Sequence, residues 1–504
     1  MGKLGFDNAK YLEEQSSYII DRSRLFDNKL YLEFGGKLIY DFHAARILPG
    51  FHPNAKIRLL ERLKDDAEIL ICVYAGDIER RKTRADFGIT YDVDVLRLID
   101  DLRSRDILVS SVVVTRYEEQ PSADTFIRRL EQHDIRVYRH RAIRGYPVDV
   151  ERIVSENGYG ANDYIETVRP IVVVTAPGPG SGKMATCLSQ VYHDHQRGVQ
   201  AGYAKFETFP IWNLPLKHPV NVAYEAATAD IGDFNQFDPF HLEAYGETAV
   251  NYNRDVEVFP VVKHILRRIM GDEHVYKSPT DMGVNRAGFA ICDDDVVREA
   301  SVQEVIRRFF RYQCEYKMGL TEAATVDRVK VLMDELDCHE AGRTVVTPAR
   351  EAASKACEQG VGHDGIFCGA AIELADGSLV TGKNSALLHA ASACVLNAVK
   401  ILAGIPDPIH LLSAQVLQSV GTMKSDILRS GEVSLNLDET LIALSVSAAS
   451  NPTAQAALEC IQRLQGCDMH MTHMPTPGDE AGLRRLGVNL TCDPNFSSKF
   501  LHAV

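Results

Sequence analysis

The stretch Val168–Thr186, VRPIVVVTAPGPGSGKMAT, decides the fold of the first half of the chain. Its opening residues, Val168–Thr175, form an apolar and β-branched run, which predicts a strand buried on both faces of a sheet. Three glycines follow, and glycine lets the backbone turn tightly without a steric clash of a side chain. A helical pattern then extends from Lys183 to Arg197. A buried strand, a glycine-rich turn and a helix in this order are typical of a parallel α/β sheet.

Apolar runs of strand length alternate with helical patterns on both sides of this unit. The predicted strands are Ile69–Tyr74, Val109–Thr115, Ile135–Tyr138, Val168–Thr175 and Gly202–Phe206. The predicted helices are Tyr91–Arg103, Asp124–His133, Lys183–Arg197 and Val258–Met270. Strands that alternate with helices at this interval favour right-handed crossovers. The N-terminal half is therefore predicted to be α/β, with a mostly parallel, doubly wound sheet.

Two segments carry the signal of a β-hairpin, which is a tight turn between two apolar runs. In Leu30–Tyr40 the runs LYLEF and KLIYDF flank Gly35-Gly36, and in Gly369–Thr381 two runs flank Asp376-Gly377. The region between the two α/β halves, Asp294–Leu336, is strongly helical. These patterns predict three domains: an α/β domain with the glycine loop over residues 1–290, a helical subdomain over 291–342 and a C-terminal α/β domain over 343–504.

The C-terminal region repeats the alternation of strands and helices. Its predicted helices are Leu387–Ile401, Thr453–Leu464 and Asp479–Leu486. Its predicted strands after the hairpin are Asp468–His473 and Val488–Cys492, and Leu437–Ser450 is predicted to be a strand–helix junction.

Composition narrows the class of protein. The net charge of −14 argues against binding nucleic acid through bulk electrostatics, because a polyanion requires a basic surface. No apolar run approaches the roughly 20 residues that cross a bilayer, and the N-terminus has no signal-peptide pattern, so no membrane association is expected. The eleven cysteines are scattered and form no CxxC pair. They are expected to be reduced thiols in a cytoplasm, with no zinc, haem or iron-sulfur centre.

The glycine loop is the principal candidate for a binding site. Glycines at the start of a helix leave backbone N–H groups and the positive end of the helix dipole free to bind phosphate. Gly182-Lys183 fits the P-loop pattern G-x-x-x-x-G-K-[ST], but Pro177 occupies its first position and Met184 replaces the magnesium-binding hydroxyl. The predicted phosphate ligands are Gly178, Gly180, Ser181, Gly182, Lys183 and Thr186. The alternative is a glycine-rich connection that only lets the helix pack closely on the sheet.

A basic loop follows the predicted strand Ile69–Tyr74. It contains Arg80, Arg81, Lys82 and Arg84. Ligands of open parallel sheets bind beyond the carboxyl ends of the strands, and the glycine loop follows such an end as well. Arg80 and Arg81 are therefore candidates for a second anion contact, and a solvated charged turn is the alternative.

Polar residues of the irregular stretch after the glycine-loop unit are candidates for substrate binding. They are Lys205, Glu207, Asn213, His218, Asn221 and Tyr224. Hydrogen bonds that stabilise the loop are the alternative for each of them. In Gly288–Asp295, GFAICDDD, a strand ending at Asp293 would suit magnesium, but we favour a helix cap formed by Asp294 and Asp295.

Four long runs resemble the uncharacterised bacterial family UPF0371. They are Lys37–Phe51, Ala176–Lys183, Ala204–Asp230 and Tyr276–Phe289. The resemblance spans essentially the whole chain and implies a cytoplasmic protein of unassigned function. Members have been labelled ATP-dependent peptidases, but the chain contains neither H-E-x-x-H nor G-x-S-x-G, so its sequence gives that label no support.

The last region also resembles the cytidine-deaminase fold, through the hairpin Ala370–Thr381 and the helix Leu387–Ile401. Such deaminases need H-x-E or C-x-E and a later P-C-x-x-C to hold zinc and to move a proton. The helix here contains His389 and Cys394 without that glutamate, and no cysteine pair follows. The resemblance implies a related topology without the zinc chemistry.

Two functional hypotheses follow. The first is a nucleotide- or phosphometabolite-dependent enzyme that binds its ligand through Gly178–Lys183, with ATP and magnesium as the first expectation because a lysine at the helix start suits β- and γ-phosphates. The alternative is a non-catalytic sensor of a nucleotide or metabolite, or a homo-oligomeric binding module. In either case a phosphorylated small molecule is the expected partner, and a homo-oligomer is the expected assembly.

Overall fold

The computed structural model describes residues 3–84, 88–271, 276–363, 365–429 and 433–498. These residues form two compact units, Lys3–Ser301 and a second unit that begins at Val302. The division into three domains stays a prediction. Among the described residues, no helix combines the length and the apolar character needed to cross a membrane.

The first unit is built on a sheet of six parallel strands. The strands of the first unit are β1 (Leu30–Phe34), β2 (Ala67–Tyr74), β3 (Thr83–Arg84), β4 (Ile89–Thr90), β5 (Val109–Thr115), β6 (Arg136–His140), β7 (Ile171–Thr175), β8 (Gly202–Phe206), β9 (Asn235–Phe237) and β10 (Val250–Tyr252). The six-stranded sheet has the order β6-β5-β2-β7-β1-β8, while β3 with β4 and β9 with β10 form small antiparallel pairs. Every residue of β1 and β7 is buried, as expected for central strands covered on both faces.

Helices surround this sheet. They are α1 (Asn8–Arg24), α2 (Phe42–Ile47), α3 (Ala55–Arg62), α4 (Ala75–Glu79), α5 (Tyr91–Arg103), α6 (Pro121–Glu131), α7 (Val150–Ile153), α8 (Lys183–Gln196), α9 (Pro219–Ala227), α10 (Pro239–Tyr245), α11 (Asn253–Met270) and α12 (Pro279–Met282). Helices α4, α5, α6 and α8 pack directly on strands of this sheet. Helix α5, for example, buries Val95, Leu98 and Leu102, which recur at helical spacing.

The predicted hairpin over Leu30–Tyr40 is wrong. Strand β1 pairs in parallel with β7 and with β8, and residues 37–40 belong to no strand. Gly35-Gly36 is therefore not a hairpin turn but the exit from the carboxyl end of a central strand. The run LYLEF lacks the alternation of apolar and polar residues that a half-exposed hairpin strand would have, and this absence fits a strand buried on both faces.

The second unit contains a mixed sheet of four strands, β11 (Gly369–Glu373), β12 (Leu379–Lys383), β13 (Asp468–Met471) and β14 (Asn489–Cys492), in the order β12-β11-β13-β14. The hairpin around Asp376-Gly377 is confirmed, because β11 and β12 pair antiparallel. Strand β11 also pairs antiparallel with β13, while β13 and β14 are parallel.

The remaining helices are α13 (Asp294–Lys317), α14 (Ala323–Glu335), α15 (Val346–Glu358), α16 (Ala390–Leu402), α17 (Ala414–Thr422), α18 (Leu437–Ala448), α19 (Pro452–Glu459) and α20 (Pro477–Leu486). The expected strand–helix junction over Leu437–Ser450 is instead a helix, α18, that begins at a capping box of Asn436 and Glu439. The α/β class with a parallel N-terminal sheet and a mixed C-terminal sheet is thus established. The likeness to a deaminase stays a prediction.

Candidate functional site

The glycine loop lies at the point where the connections of the large sheet change direction. Strands β2 and β7 are neighbours, paired from Ala67 with Ile171 to Ile71 with Thr175. After β2 the chain continues to β5 on one side, and after β7 it continues to β8 on the other side. A crevice opens beyond the carboxyl ends of two such strands, and open α/β sheets bind their ligands there. The glycine loop and the basic Arg80–Arg84 loop follow these two strand ends.

Each glycine of the loop has its own structural reason. Gly180 and Gly182 adopt φ angles of +73° and +85°, in the left-handed region that side chains disfavour. Gly182 is also the residue at which helix α8 is capped. At Gly178, a β-carbon would lie 2.2 Å from the hydroxyl oxygen of Tyr91, so this position leaves no room for a side chain.

The carbonyl oxygens of the loop are held by the protein. The Thr115 hydroxyl donates to the carbonyl of Ser181 at 2.8 Å, and the Arg116 guanidinium donates to the carbonyl of Gly180. Arg116 also lies over the ring of Tyr74, 3.4 Å from its centroid. In a trans peptide the N–H points opposite to the C=O. The N–H groups that follow these two carbonyls are therefore directed away from Thr115 and Arg116.

The loop and the start of α8 present a run of backbone donors. Among the described residues, no hydrogen-bond acceptor faces the N–H groups from Gly180 to Ala185, and no side chain caps the helix. The half-buried Lys183 makes no hydrogen bond or ion pair within the same part of the chain. Unpartnered amides, a helix dipole and an ammonium group together favour an anion at this position.

The two hydroxyl groups predicted to bind phosphate have partners inside the protein. Ser181 is buried and its hydroxyl donates to the carbonyl of Gly178 at 2.7 Å, so it braces the loop. Thr186 is buried as well, with its oxygen 3.5 Å from the sulfur of Cys72 on strand β2. Because its hydroxyl is engaged, Ser181 can bind an anion through its backbone N–H.

The basic loop after β2 is only partly available to an anion. Arg80 forms an ion pair with Asp77, and the Lys82 ammonium lies 3.8 Å from the same carboxylate. Arg81 is exposed, with a φ angle of +50°, and the side chain of Arg84 lies outside the described part of the chain. The guanidinium that reaches the glycine loop is instead that of Arg116, which the sequence reasoning missed. Its position directly after strand β5 follows the same rule that singled out Arg80.

Four polar side chains meet at the carboxyl end of strand β8, and we call them the Lys205 cluster: Lys205 in β8, Glu207 just after it, Tyr252 in β10 and Asp255 in α11. The Lys205 ammonium lies 2.7 Å from both carboxylate oxygens of Asp255 and 3.3 Å from Oε1 of Glu207. It also donates to the Tyr252 hydroxyl, which in turn donates to Oε2 of Glu207 at 2.6 Å. Between 16% and 23% of the side-chain surface of Lys205, Glu207 and Asp255 remains exposed, so a small molecule can reach the cluster.

Burial and mutual charge set the protonation of this cluster. Burial raises the pKa of Asp255 to about 6, assisted by the Glu207 charge and opposed by Lys205. For Glu207, burial is outweighed by Lys205, by the Tyr252 hydroxyl and by Lys183, so its pKa lies below the usual value. Burial works to lower the pKa of Lys205, but the two carboxylates hold it above its usual value. The cluster thus contains one carboxylate with a lowered pKa, Glu207, and one with a pKa of about 6, Asp255.

The predicted substrate residues divide into two groups. Tyr224 joins the surroundings of the cluster, since its ring lies 6.4 Å from that of Tyr252. Asn221 is buried and hydrogen-bonds both the N–H and the carbonyl of Ile211, which closes a loop. His218 caps α9 and lies 2.9 Å from Asp294.

Asn213 is exposed, and its side chain lies against the backbone of Gly288, where a β-carbon would be 2.0 Å from its oxygen. His218 and Asn221 therefore stabilise a helix end and a loop in the structure, while Asn213 packs against Gly288. Of the six candidates, the structure brings together Lys205, Glu207 and Tyr224. Tyr252 and Asp255 escaped the sequence reasoning because the stretch before them has no regular period.

Among the described residues, no strand ends at Asp293, which was the alternative to the helix cap that the sequence favoured. Residues Ala287–Ala290 form a short 3-10 helix, and Asp293 accepts a hydrogen bond from the Val296 N–H at the start of α13. The predicted helix cap is present one residue earlier than expected, at Asp293, while Asp294 and Asp295 lie in the first turn of α13 and Asp294 pairs with Arg298 at 2.5 Å. Within the described ranges, no three His, Cys, Asp or Glu side chains are grouped to hold a metal ion.

Comparison with known proteins gives family names without an activity. Residues 4–337 match the model of "Domain of unknown function DUF1846, N-terminal", and residues 341–502 match its C-terminal counterpart. The chain is 57% identical over 500 residues to a UPF0371 protein of Clostridium botulinum (strain Alaska E43 / Type E3). It is 56% identical over 500 residues to a UPF0371 protein of Clostridium tetani. Each alignment covers 99% of both chains.

Proposed function

The chain belongs to the DUF1846 family, whose curated relatives are named UPF0371 proteins, and we propose that its first unit binds a phosphorylated small molecule in the glycine loop. The observation that carries this proposal is the run of N–H groups from Gly180 to Ala185, beside Lys183, for which the described part of the chain supplies no acceptor or ion-pair partner. Buried or half-buried donors in a folded protein normally have partners. A phosphate group would supply acceptors for several of them at once.

The energy available to such a complex is large enough for specific binding. Hydrogen bonds to a charged group contribute about 1.5–3 kcal/mol each, so two or three of them with the Lys183 ammonium suit a micromolar to millimolar ligand after the cost of association. The protein already orders the loop through Thr115 and Arg116, so little further ordering is needed on binding. ATP is the first ligand to test, because a lysine at the start of the helix suits its β- and γ-phosphates.

We further propose that the protein is an enzyme that acts on this ligand in the cytoplasm. Acid–base chemistry uses carboxyl groups whose pKa is raised, and the Lys205 cluster provides one in Asp255, whose pKa burial raises to about 6. All eleven cysteines are free, which suits a reducing compartment.

A thermal-shift panel of nucleotides and phosphorylated metabolites, with and without magnesium, tests the binding proposal. We expect at least one compound to stabilise the wild type and to lose its effect in Lys183→Ala, because a ligand stabilises only the state that binds it. Lys10→Ala serves as the matched control, since Lys10 is an exposed lysine of helix α1 whose ammonium lies 3.8 Å from Glu14. Equal shifts in the wild type and in Lys183→Ala would refute the proposal.

A second candidate is a non-catalytic sensor, acting as a homo-oligomeric binding module. One observation favours it: the P-loop hydroxyl position is Met184, and the nearby hydroxyls of Ser181 and Thr186 already have partners in the protein. The loop thus lacks the usual hydroxyl for magnesium. Magnesium-dependent turnover of a bound compound would support the enzyme, whereas binding without turnover would support the sensor.

A further inference from the structure

Three chain segments lie side by side at the carboxyl edge of the large sheet. The order β7-β1-β8 places the glycine loop after β7, Gly35-Gly36 after β1 and Glu207 after β8. Neighbouring strands are about 4.8 Å apart, so the loop and the end of β8 are separated by roughly 10 Å. This distance corresponds to the length of a small phosphorylated metabolite. The middle segment consists of two residues without side chains.

Glu207 extends from β8 across the end of β1. A β-carbon on Gly35 would lie 2.3 Å from Cγ and 2.4 Å from Oε1 of Glu207. The carboxylate therefore rests on the backbone of Gly35, on the side of β8 that faces the glycine loop. The charge of Lys183 contributes to the low pKa of Glu207, which is consistent with both groups lining one site. The adjoining Gly36 is exposed, and the ammonium of the buried Lys56 lies beside it and donates to the carbonyl of Gly35 at 3.1 Å.

The Glu207 carboxylate has hydrogen-bonding capacity left. An ionised carboxylate offers about four acceptor positions. In the described structure, Glu207 receives one hydrogen bond from Tyr252 and an ion pair from Lys205 at 3.3 Å. The three donors of Lys205, by contrast, are directed at Asp255, Tyr252 and Glu207. The cluster can therefore accept further hydrogen bonds but has no donor left, which suits the hydroxyl groups of a ligand.

We propose that Glu207 binds the hydroxyl groups of the same molecule whose phosphate occupies the glycine loop, and that this molecule is a sugar phosphate. The inference rests on the proposed function. A second phosphate is disfavoured near Glu207, because two anions in one partly buried site repel each other. A ligand with hydroxyl groups along its chain satisfies both ends of the site, with Gly35-Gly36 as its floor.

Isothermal titration with a matched series of probes tests this inference. The series contains inorganic phosphate, butyl phosphate, phosphoethanolamine, ribose 5-phosphate, fructose 6-phosphate and AMP, each titrated into the wild type and Glu207→Gln. At least one of the two sugar phosphates is expected to bind the wild type roughly tenfold or more tightly than butyl phosphate, which is the yield of one hydrogen bond to a charged group. Glu207→Gln should abolish that advantage without weakening the binding of inorganic phosphate, because it removes a negative charge from the site.

A second variant separates the carboxylate's position from its charge. Gly35→Ala keeps Glu207 ionised but introduces a methyl group where its side chain now lies. It is expected to remove the sugar-phosphate advantage as Glu207→Gln does, and it remains informative if Glu207→Gln fails to fold.

The outcomes are distinct. Absence of binding by every phosphorylated probe overturns the proposed function itself. Binding of inorganic phosphate without a hydroxyl-dependent advantage overturns only the inference, as does an advantage that survives both variants. Tighter binding of phosphoethanolamine identifies an ammonium ligand, and tighter binding of AMP than of either sugar phosphate identifies a nucleotide. Either result overturns the sugar-phosphate assignment.

Discussion

Replacing each left-handed glycine of the loop by alanine tests whether the loop is as rigidly held as the structure indicates. Gly180 and Gly182 have φ angles of +73° and +85°, so alanine at either position costs about 1–2 kcal/mol in backbone strain. The surroundings differ. A β-carbon at Gly180 would meet nothing within 4 Å, whereas one at Gly182 would lie 3.1 Å from Cγ2 and Oγ1 of Thr115.

The contact at Gly182 adds a second cost. Thr115 must move, and its hydrogen bond to the carbonyl of Ser181 is then weakened, which costs about 1 kcal/mol. We therefore expect Gly182→Ala to lower the free energy of unfolding by about 2–3 kcal/mol and Gly180→Ala by about 1–2 kcal/mol. In a double-mutant cycle, Gly182→Ala in a Thr115→Ala background should cost about 1 kcal/mol less than in the wild type.

Tryptophan fluorescence during urea unfolding measures these differences with a probe that lies in the first unit. The chain has one tryptophan, Trp212, whose indole N–H donates to the carbonyl of Asn285 within that unit. The midpoint and slope of its transition give the change in stability of the unfolding step that exposes Trp212. Equal destabilisation by the two alanine variants would refute the argument, because it would mean that Thr115 does not confine the loop at Gly182.

Three further predictions concern charges. Burial lowers the pKa of His140 to about 4, so its neutral form stabilises the protein fully above pH 6.5. About 3 kcal/mol of the free energy of unfolding is lost as the pH falls from 6.5 to 4. His140→Asn should flatten that part of the profile of unfolding midpoint against pH. Glu207→Gln should lower the pKa of Asp255 below 6, because the Glu207 charge contributes to raising it, and carboxyl-carbon NMR titration of labelled aspartate would detect the change. In the second unit, Arg343→Met should cost about 3 kcal/mol in a circular-dichroism melt, since the buried guanidinium pairs with Asp468 at 3.1 Å.

The sequence was sufficient for the parts of the fold that depend on local pattern. Tyr91–Arg103 and Val109–Thr115 coincide with α5 and β5, because helical spacing and a β-branched run are signals that a short window contains. Gly35-Gly36 was misinterpreted because two glycines look alike at a hairpin turn and at a strand exit. Only the pairing of β1 between β7 and β8, which lie far away in sequence, distinguishes the two.

Part of the candidate site could likewise be predicted from local sequence, and part of it could not. The glycine loop follows from its own residues, so its place after a buried strand and before α8 was foreseen. Contacts between segments that are distant in sequence could not be predicted. Arg116 reaches Gly180 across two strand ends, and Asp255 reaches Lys205 from another element, and neither carries a motif. Such side chains are recruited by tertiary packing, which a single sequence does not reveal.

The most direct test of the central claim is to observe the loop amides while phosphate binds. Glycine-selective ¹⁵N labelling and transverse-relaxation-optimised NMR would follow Gly180 and Gly182 during titration with inorganic phosphate, with Gly180→Ala and Gly182→Ala providing the assignments. We predict saturable shifts of both N–H signals that disappear in Lys183→Ala, because these groups have no acceptor among the described residues. Phosphate binding that leaves both signals unmoved would contradict the account.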